Sequence, residues 1–530
     1  MKREEKETEE NEKHWADAIA EKLIEMNPKK KKFVLAAGIS PSGTVHIGNF
    51  RDVITIDLVG RALKDKGYKA ELIFSWDEFD RLRKIPANIP QRFSVYLGMP
   101  LAEIPDPYKC HDSYAKHFEV PFEEILPELG IDIRFIHQAE MYRKNKYYEG
   151  IKIAMGKRKE IAKILARFKT QGMTEEKREN YFPLQIYCTK CKSSLNTKIT
   201  KYEGDEVTYY CKCGQKEKVD ISKKSVGKLD WKVDWAMRWK YEDVAFEPGG
   251  EDHASPGGSY DVSKVIAKEI YGINPPLFQG YGFVGVEGAF KMSSSKGTGI
   301  SPKDLLEIYE PELLRWIFTR VRPLKPITLF FGTQIIRQYE EFDEKVSDYY
   351  NERLSPGEKR EIEFSKTKRA IAKIRIPFRQ IASFGQIVQG NLSELEKMYD
   401  RIEQKYDEKA LKERLEKSQA WVEKFNPEMK IKVRETPNMN YFKKLDKEEK
   451  EQITNLGEEM KKKMDLEKLT SLVYEIPKKR GMSDEKKKLA QRHFFKNVYQ
   501  MLIDADTGPR LPSFLLALEK EKIQKLLDVK

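Results

Sequence analysis

The feature that most constrains this chain lies just inside its start. A short, wholly apolar run, FVLAA (33–37), is followed by a Gly/Ser/Pro-rich stretch, GISPSGT (38–44). An apolar stripe at near-helical spacing then runs through Ile47, Phe50, Ile54, Leu58 and Leu63, and Gly67 supplies a stop. A second strand-like run, AELIFSW (70–76), completes the pattern. An unbroken apolar strand suits a parallel sheet covered on both faces. Strand, tight turn, helix and strand make one βαβ unit, whose turn delivers exposed N–H groups at a helix N-terminus. The expected fold is therefore an α/β, Rossmann-type domain.

One such domain does not use up 530 residues, so several cores are expected. Residues 1–32 read as an amphipathic N-terminal helix ending near Asn27-Pro28, and 33–105 as the first half of the nucleotide fold. Residues 106–230 read as an insertion and 231–302 as the returning second half. A connecting region, 303–355, precedes a segment, 356–530, that is almost wholly helical in pattern. Lys and Arg number 98 against 85 acids, a net charge of +13 that favours a polyanionic partner through counterion release. No run approaches the ~18 apolar residues of a membrane span, and the N-terminus has no apolar signal core. A cytosolic protein is expected.

Two motifs carry phosphate chemistry. The first, Pro41-Ser42-Gly43-Thr44-Val45-His46-Ile47-Gly48-Asn49, lies on the strand-to-helix turn. Its small residues let backbone N–H groups approach phosphate, His46 can donate to a phosphate oxygen, and Gly48 leaves room for an adenine ring. The second, Lys291-Met292-Ser293-Ser294-Ser295-Lys296-Gly297, places lysines among hydroxyls on a Gly-rich loop, a pattern suited to clamping a triphosphate. Four of the five cysteines form two close pairs, Cys188/Cys191 and Cys211/Cys213, a natural tetrahedral thiolate set for structural zinc.

In this order and on these elements, the two motifs resemble the HIGH and KMSKS signatures of class I aminoacyl-tRNA synthetases. Asn49 stands where the first signature ends in His, and Ser294 stands where the second has its internal Lys, with Lys296 two places on. AAGISPSGTVHIGNFRDV together with FSWDEFDRLRKIP is more particularly similar to the class I lysyl-tRNA synthetases, over nearly the whole chain. That resemblance implies a Rossmann core, a zinc-bearing insertion, a stem-contact region and an all-α anticodon-binding domain like the helical cage of glutamyl-tRNA synthetases. It implies ATP with Mg²⁺, L-lysine and tRNA(Lys) as substrates and Zn²⁺ at one or two sites; a monomer is the default expectation for the assembly. His46, Asn49, Lys291 and Lys296 become the catalytic candidates. Pro41, Ser42, Gly43, Thr44, Gly48, Met292, Ser293, Ser294 and Ser295 join them in binding ATP. The family also carries an Asp/Cys/His/His zinc site, which Asp106, Cys110, His111 and His117 match in spacing.

A lysine pocket must supply a carboxylate for the ammonium, because a buried unpaired charge costs several kcal/mol. Asp77, just past the second strand, is the first choice; the alternative is a surface ion pair with Arg81 or Arg83. Gly38 and Ser40 line the same turn and suit the α-amino group. Trp231 and Trp235 are candidates for an aromatic wall around the aliphatic stem. Asp252 and His253 resemble the family's GxDH segment, and Tyr281 is placed to close the pocket. The nearest rivals are a class I synthetase for another amino acid such as glutamate, which needs an arginine in its pocket, and an inactive tRNA-binding paralogue. Trp421, Phe425, Phe494, Phe495 and Tyr499 are the aromatics of the helical end, most of them expected in its core, and 504–514 reads as a tight helix junction.

Overall fold

The computed structural model describes residues 13–169, 172–287 and 300–529, with the side chain of Asp252 also outside the description. The ATP-clamp candidates Lys291, Met292, Ser293, Ser294, Ser295 and Lys296 fall outside the described residues. The chain divides into two compact units. The first comprises residues 1–306, 311–329 and 353–370; the second comprises 307–310, 330–352 and 371–530.

The first unit begins with α1 (Trp15–Met26), capped by His14, and then β1 (Lys32–Ile39), α2 (Ile47–Asp65) and β2 (Lys69–Trp76), which realise the expected βαβ unit. Gly67, at φ +85°, takes the left-handed conformation that ends α2. The helix α3 (Tyr114–Ile125) and the strand β3 (Arg134–His137) follow. A three-stranded antiparallel meander, β4 (Thr197–Glu203), β5 (Glu206–Cys211) and β6 (Lys216–Asp220), carries Cys211 and Cys213 at its second turn, and Cys188 and Cys191 lie on the turn that leads into it. The helix α4 (Trp231–Glu242), strand β7 (Val244–Gly250), helix α5 (Ser259–Glu269) and strand β8 (Leu277–Tyr281) then return to the main sheet. That sheet is parallel throughout, in the order β8-β7-β1-β2-β3. The chain leaves β1 to one side through β2 and comes back on the other through β7, so the carboxyl ends of β1 and β7 form the topological switch point where such sheets bind ligands.

Burial explains these elements. Five successive residues of β1, Phe33 to Ala37, are buried, as a central parallel strand requires. All five residues of the α2 stripe are buried, with Val53, Ile56, Val59 and Ala62 beside them. Each large apolar side chain buried in this way contributes ~1.5–3 kcal/mol.

Two domain boundaries differ from the sequence expectation. β3 falls inside the 106–230 segment, so the insertion also supplies an edge strand of the nucleotide sheet; only one of its four residues is buried, too weak a pattern to read. The region 303–355 is not a separate unit, and 356–370 packs with the first. Buried charges decide this. Arg315, on α6 (Pro311–Thr319), donates to Asp57 at 2.7 Å and to the Phe364 carbonyl at 2.7 Å. Arg360, on α7 (Pro356–Ser365), grips Asp17 at 2.9 Å and Asp65 at 2.7 Å.

The second unit contains no strand among the described residues. Its helices include Phe378–Ile387, Leu392–Arg401, Glu408–Phe425, Lys447–Glu459, Leu466–Glu475 and Asp484–Ile503, packed on a core with Leu395, Leu415, Ile453, Leu456, Leu469 and Phe494. Glu310 is buried here between Arg375 and Arg414; burial opposes its ionisation, but the two guanidinium groups hold its carboxyl down to about 2. Trp421 and Phe494 are core residues, and the Tyr499 hydroxyl is tied to the Pro509 carbonyl within the 504–514 junction; Phe425 stays exposed, stacked on Phe331 at 4.4 Å. No described helix is long and apolar enough to cross a membrane.

Candidate active site

The first motif forms the turn between β1 and α2, with His46 as the N-cap of the helix. Asn49 accepts the His46 backbone N–H through its side-chain oxygen at 3.2 Å, leaving its amide nitrogen as the half that can donate to a ligand. The His46 imidazole is half-buried at the cap of α2, and burial holds its pKa below the ordinary value. A Cβ on Gly48 would come within 2.9 Å of that imidazole. Glycine at this position thus lets the imidazole lie against the first turn of α2. The turn rests on α3, whose Tyr114 hydroxyl donates to the Ser42 carbonyl at 2.9 Å.

The chain just after the second motif is fastened to this turn. The backbone N–H of Ile47 donates to the carbonyl of Ile300 at 2.8 Å. Thr44 and Val45 share a cavity of about 310 Å³ with Ser301, Pro302 and Lys303, closed by His117, Phe118 and Phe122 of α3. The opposite flank is held by a residue that sequence reasoning missed: Arg51, buried in α2, donates to the carbonyls of Gly282, Pro323 and Lys325 at 2.5, 2.7 and 2.8 Å. Its guanidinium also lies 5.7 Å from the centre of the Tyr281 ring, which fixes that tyrosine at the end of β8. Burial lowers Arg51 to about 10, and three carbonyl acceptors compensate.

A second cavity opens at the switch point. It is lined by Gly38 and Ser75 from β1 and β2, by Asp77, by Trp231, Trp235, Arg238 and Trp239 from α4, and by Glu247 from β7. Gly38 is required here, because a Cβ would meet the Ser75 carbonyl at 2.7 Å. Trp231 and Trp235 stack at 5.0 Å, and the His253 ring lies 5.8 Å from Trp235 and 6.5 Å from Trp231, so three of the expected pocket residues do come together. His253 Nδ1 is buried without a hydrogen bond. Ser40 lies on the turn above Gly38, and the Asp252 side chain is outside the described residues.

Asp77 is buried at this cavity, but its partners are neither a ligand-ready void nor Arg81 or Arg83. It binds Arg238 at 2.8 Å and Lys228 at 3.4 Å. Burial pushes its carboxyl up, yet those two cations outweigh it and hold it below the ordinary value. Lys228 also meets Asp80 at 2.6 Å and Asp234 at 3.6 Å, and Arg238 meets Asp234 at 3.3 Å. Tyr142 donates to Asp234 at 2.5 Å. Glu78 faces elsewhere, accepting the N–H groups of Gln138 and Ala139; burial and the neighbouring Glu119 push it up to about 8. Arg238 carried a faint sequence signal, seven residues after Trp231 on one helix face, whereas Lys228 carried none.

Comparison with known proteins bears on this arrangement. The family described as "tRNA synthetases class I (K)" matches residues 13–376. The chain belongs to this family. Its relatives include the lysine–tRNA ligase of Pyrococcus horikoshii, 38% identical over 97% of this chain and 99% of that protein. The lysine–tRNA ligases of Pyrococcus furiosus and Borreliella burgdorferi are 36% and 35% identical, each over 97% of this chain and over 99% and 98% of their own lengths. The parallel sheet, the phosphate-type turn and the helical unit of this class I synthetase are thus those of a chain related end to end.

Two further clusters in the synthetase fit metal ions. Cys188, Cys191, Cys211 and Cys213 converge, with Sγ separations of 3.6 Å (Cys188–Cys213) and 3.7 Å (Cys191–Cys211). These are too long for disulfides and match the ~3.8 Å edge of a tetrahedron with ~2.3 Å zinc–sulfur bonds. The turns that bring the sulfurs together need Lys192 at φ +61° and Gly214 at φ +91°. Asp106, Cys110, His111 and His117 also converge, with Cys110 Sγ 3.1 Å from His111 Nδ1, 3.2 Å from His117 Nδ1 and 3.2 Å from Asp106 Oδ2. In both, the donor chemistry suits Zn²⁺.

Proposed function

We propose that this protein is a lysine–tRNA ligase, activating L-lysine with ATP and passing it to the 3′-terminal adenosine of tRNA(Lys). Membership of the family supports this, as do the names of relatives that align over nearly their full lengths. The observation that carries the reading is the Ile47–Ile300 backbone hydrogen bond beside the cavity shared by Thr44 and Ser301, because the second motif ends shortly before that anchored point. The rival glutamate reading needs a guanidinium for the substrate carboxylate, and Arg238, the arginine of the cavity wall, is already bound by Asp77 and Asp234.

The lysine carboxylate attacks the α-phosphorus of ATP in line and pyrophosphate leaves; a ribose hydroxyl of the tRNA terminus then attacks the adenylate carbonyl. Neither step needs a covalent enzyme intermediate, so the protein contributes position and charge. Pro41, Ser42, Gly43 and Thr44 seat the triphosphate with Met292, Ser293, Ser294 and Ser295, Gly48 leaves room for the adenine, and Mg²⁺ enters with ATP. His46, the Asn49 amide, Lys291 and Lys296 stabilise the charge that builds at phosphorus. Gly38, Ser40, Trp231, Trp235, Asp252, His253 and Tyr281 hold lysine, with Asp77 orienting the wall through Arg238. Cys188, Cys191, Cys211 and Cys213 would hold a structural Zn²⁺ that would pin the insertion guiding the acceptor end, and Asp106, Cys110, His111 and His117 would hold a second. The helical unit reads the anticodon as a cage of the glutamyl type, and the enzyme works as a monomer in the cytoplasm.

Amino-acid-dependent pyrophosphate exchange with tRNA present tests the assignment. Exchange is expected with lysine and not with glutamate; glutamate-dependent exchange, or tRNA binding with no exchange for either amino acid, overturns it. Lys291→Ala is expected to slow adenylate formation about 10²–10³-fold while lysine binding stays unchanged. Equal losses in binding and rate would make Lys291 a general anchor instead.

A further inference from the structure

The three acids Asp77, Asp80 and Asp234 around the switch-point cavity each lie within ion-pair distance of Lys228 or Arg238, and both cations are shared among them. Glu247 is different. It stands on β7 in the wall of the same cavity, half-buried, and its hydrogen bond comes from a neutral donor, the Trp239 indole N–H at 2.5 Å. No cation pairs with it among the described residues. Burial pushes its carboxyl above the ordinary value, against the pull of the Trp235 and Trp239 indoles and of the Arg238 charge. A carboxylate so placed is costly unless a cation arrives to meet it. Its surroundings say what kind of cation. Trp231, Trp235 and Trp239 line the approach with aromatic surface, suited to an aliphatic stem and to a cationic tip over ring faces. Gly38 leaves the backbone of β1 open on the cavity side, and the unpartnered Nδ1 of His253 beside Trp235 offers a contact for the polar end of the same ligand.

We infer that Glu247, rather than Asp77, receives the side-chain ammonium of the substrate and thereby selects a cationic amino acid. This rests on the lysine–tRNA ligase reading above. Asp77 then acts at one remove, fixing Arg238 and with it the face of α4 that bears the tryptophans.

The test uses the full chain with tRNA in lysine-dependent pyrophosphate exchange. Glu247→Gln keeps an oxygen for the Trp239 N–H and removes only the charge, and its melting temperature, compared with the parent's, checks that the fold is kept. The expected result is a lysine KM raised on the order of 100-fold, an unchanged ATP KM, and a reduced preference for lysine over norleucine, which has the same stem without the ammonium. Glu247→Asp should restore part of the lysine affinity. A lysine KM within a few fold of the parent's in Glu247→Gln, with lysine still preferred over norleucine, overturns the inference while leaving the enzyme a lysine–tRNA ligase. A parent enzyme that exchanges with another amino acid and not with lysine overturns both readings.

Discussion

The four-cysteine cluster and the Asp106 cluster offer the same number of ligands, yet the protein builds them from different materials. At the first, Cys188 and Cys211 are buried and Cys191 and Cys213 exposed, and the sulfurs face one another and accept the backbone N–H groups of Ser193, Cys213 and Gln215. At the second, Asp106 is already engaged without any ion: its carboxylate accepts the backbone N–H groups of Tyr108, Cys110 and His111 at 2.9, 2.8 and 2.7 Å. His117 is delivered by α3, whose first turn Ser113 caps. The contrast teaches that the cysteine turns are framed by backbone hydrogen bonds, such as Lys192 N–H to Cys188 and Gly214 N–H to Cys211, so that a bound ion would add the side-chain tie, whereas a ligand side chain, Asp106, already ties its own loop together.

The sharpest way to break this comparison is Cys211→Ser. It should remove one equivalent of zinc per chain by elemental analysis and lower stability by ~3 kcal/mol or more, because a lost ligand surrenders much of the metal's contribution. Retained stoichiometry with an unchanged melting temperature would mean that the meander folds without its ion. Asp106→Asn should also cost one metal equivalent but only ~1–2 kcal/mol, since an amide oxygen can still accept from the loop N–H groups. A destabilisation as large as that of Cys211→Ser would erase the difference.

A smaller effect sharpens the same contrast in metal-stripped protein. Burial works against the Asp106 carboxylate, but the N–H groups of Tyr108, His111 and Cys110 and the Cys110 thiol hold it at about 2. A carboxyl depressed on folding contributes stability that is complete above its unfolded value of ~3.9 and fades as pH falls towards the folded value. Amide exchange of residues 108–111 should therefore stay slow in the stripped protein until the pH falls through roughly 4 towards 2. The stripped cysteine turns, whose backbone hydrogen bonds involve no carboxylate, should lose no protection in that window, and a parallel loss in both loops would contradict the proposed frame.

What could be read from the sequence followed the range of the interactions. The βαβ unit was legible because strand burial and helix periodicity repeat within a few residues, and Gly67 did end α2 as its position suggested. The four cysteines were legible because two pairs of soft ligands seldom occur by chance. β3 was not legible, since an edge strand with one buried residue has no pattern to show. Nor was the boundary near residue 370, which depends on Arg315 reaching Asp57 and Arg360 reaching Asp17 across most of the unit's sequence.

By itself, then, the order of residues determined the kind of sheet, the phosphate-type turn with His46 at a helix N-cap, and the family. All of these are written in local spacing or in strings long enough to compare. Only the folded molecule decided which carboxylates are already spoken for. Asp77 looked available beside its strand, and packing brought Lys228 and Arg238 onto it while leaving Glu247 with an indole N–H. A charge is neutralised by whatever lies within a few ångströms of it, and across such distances the number of residues between two positions is no guide.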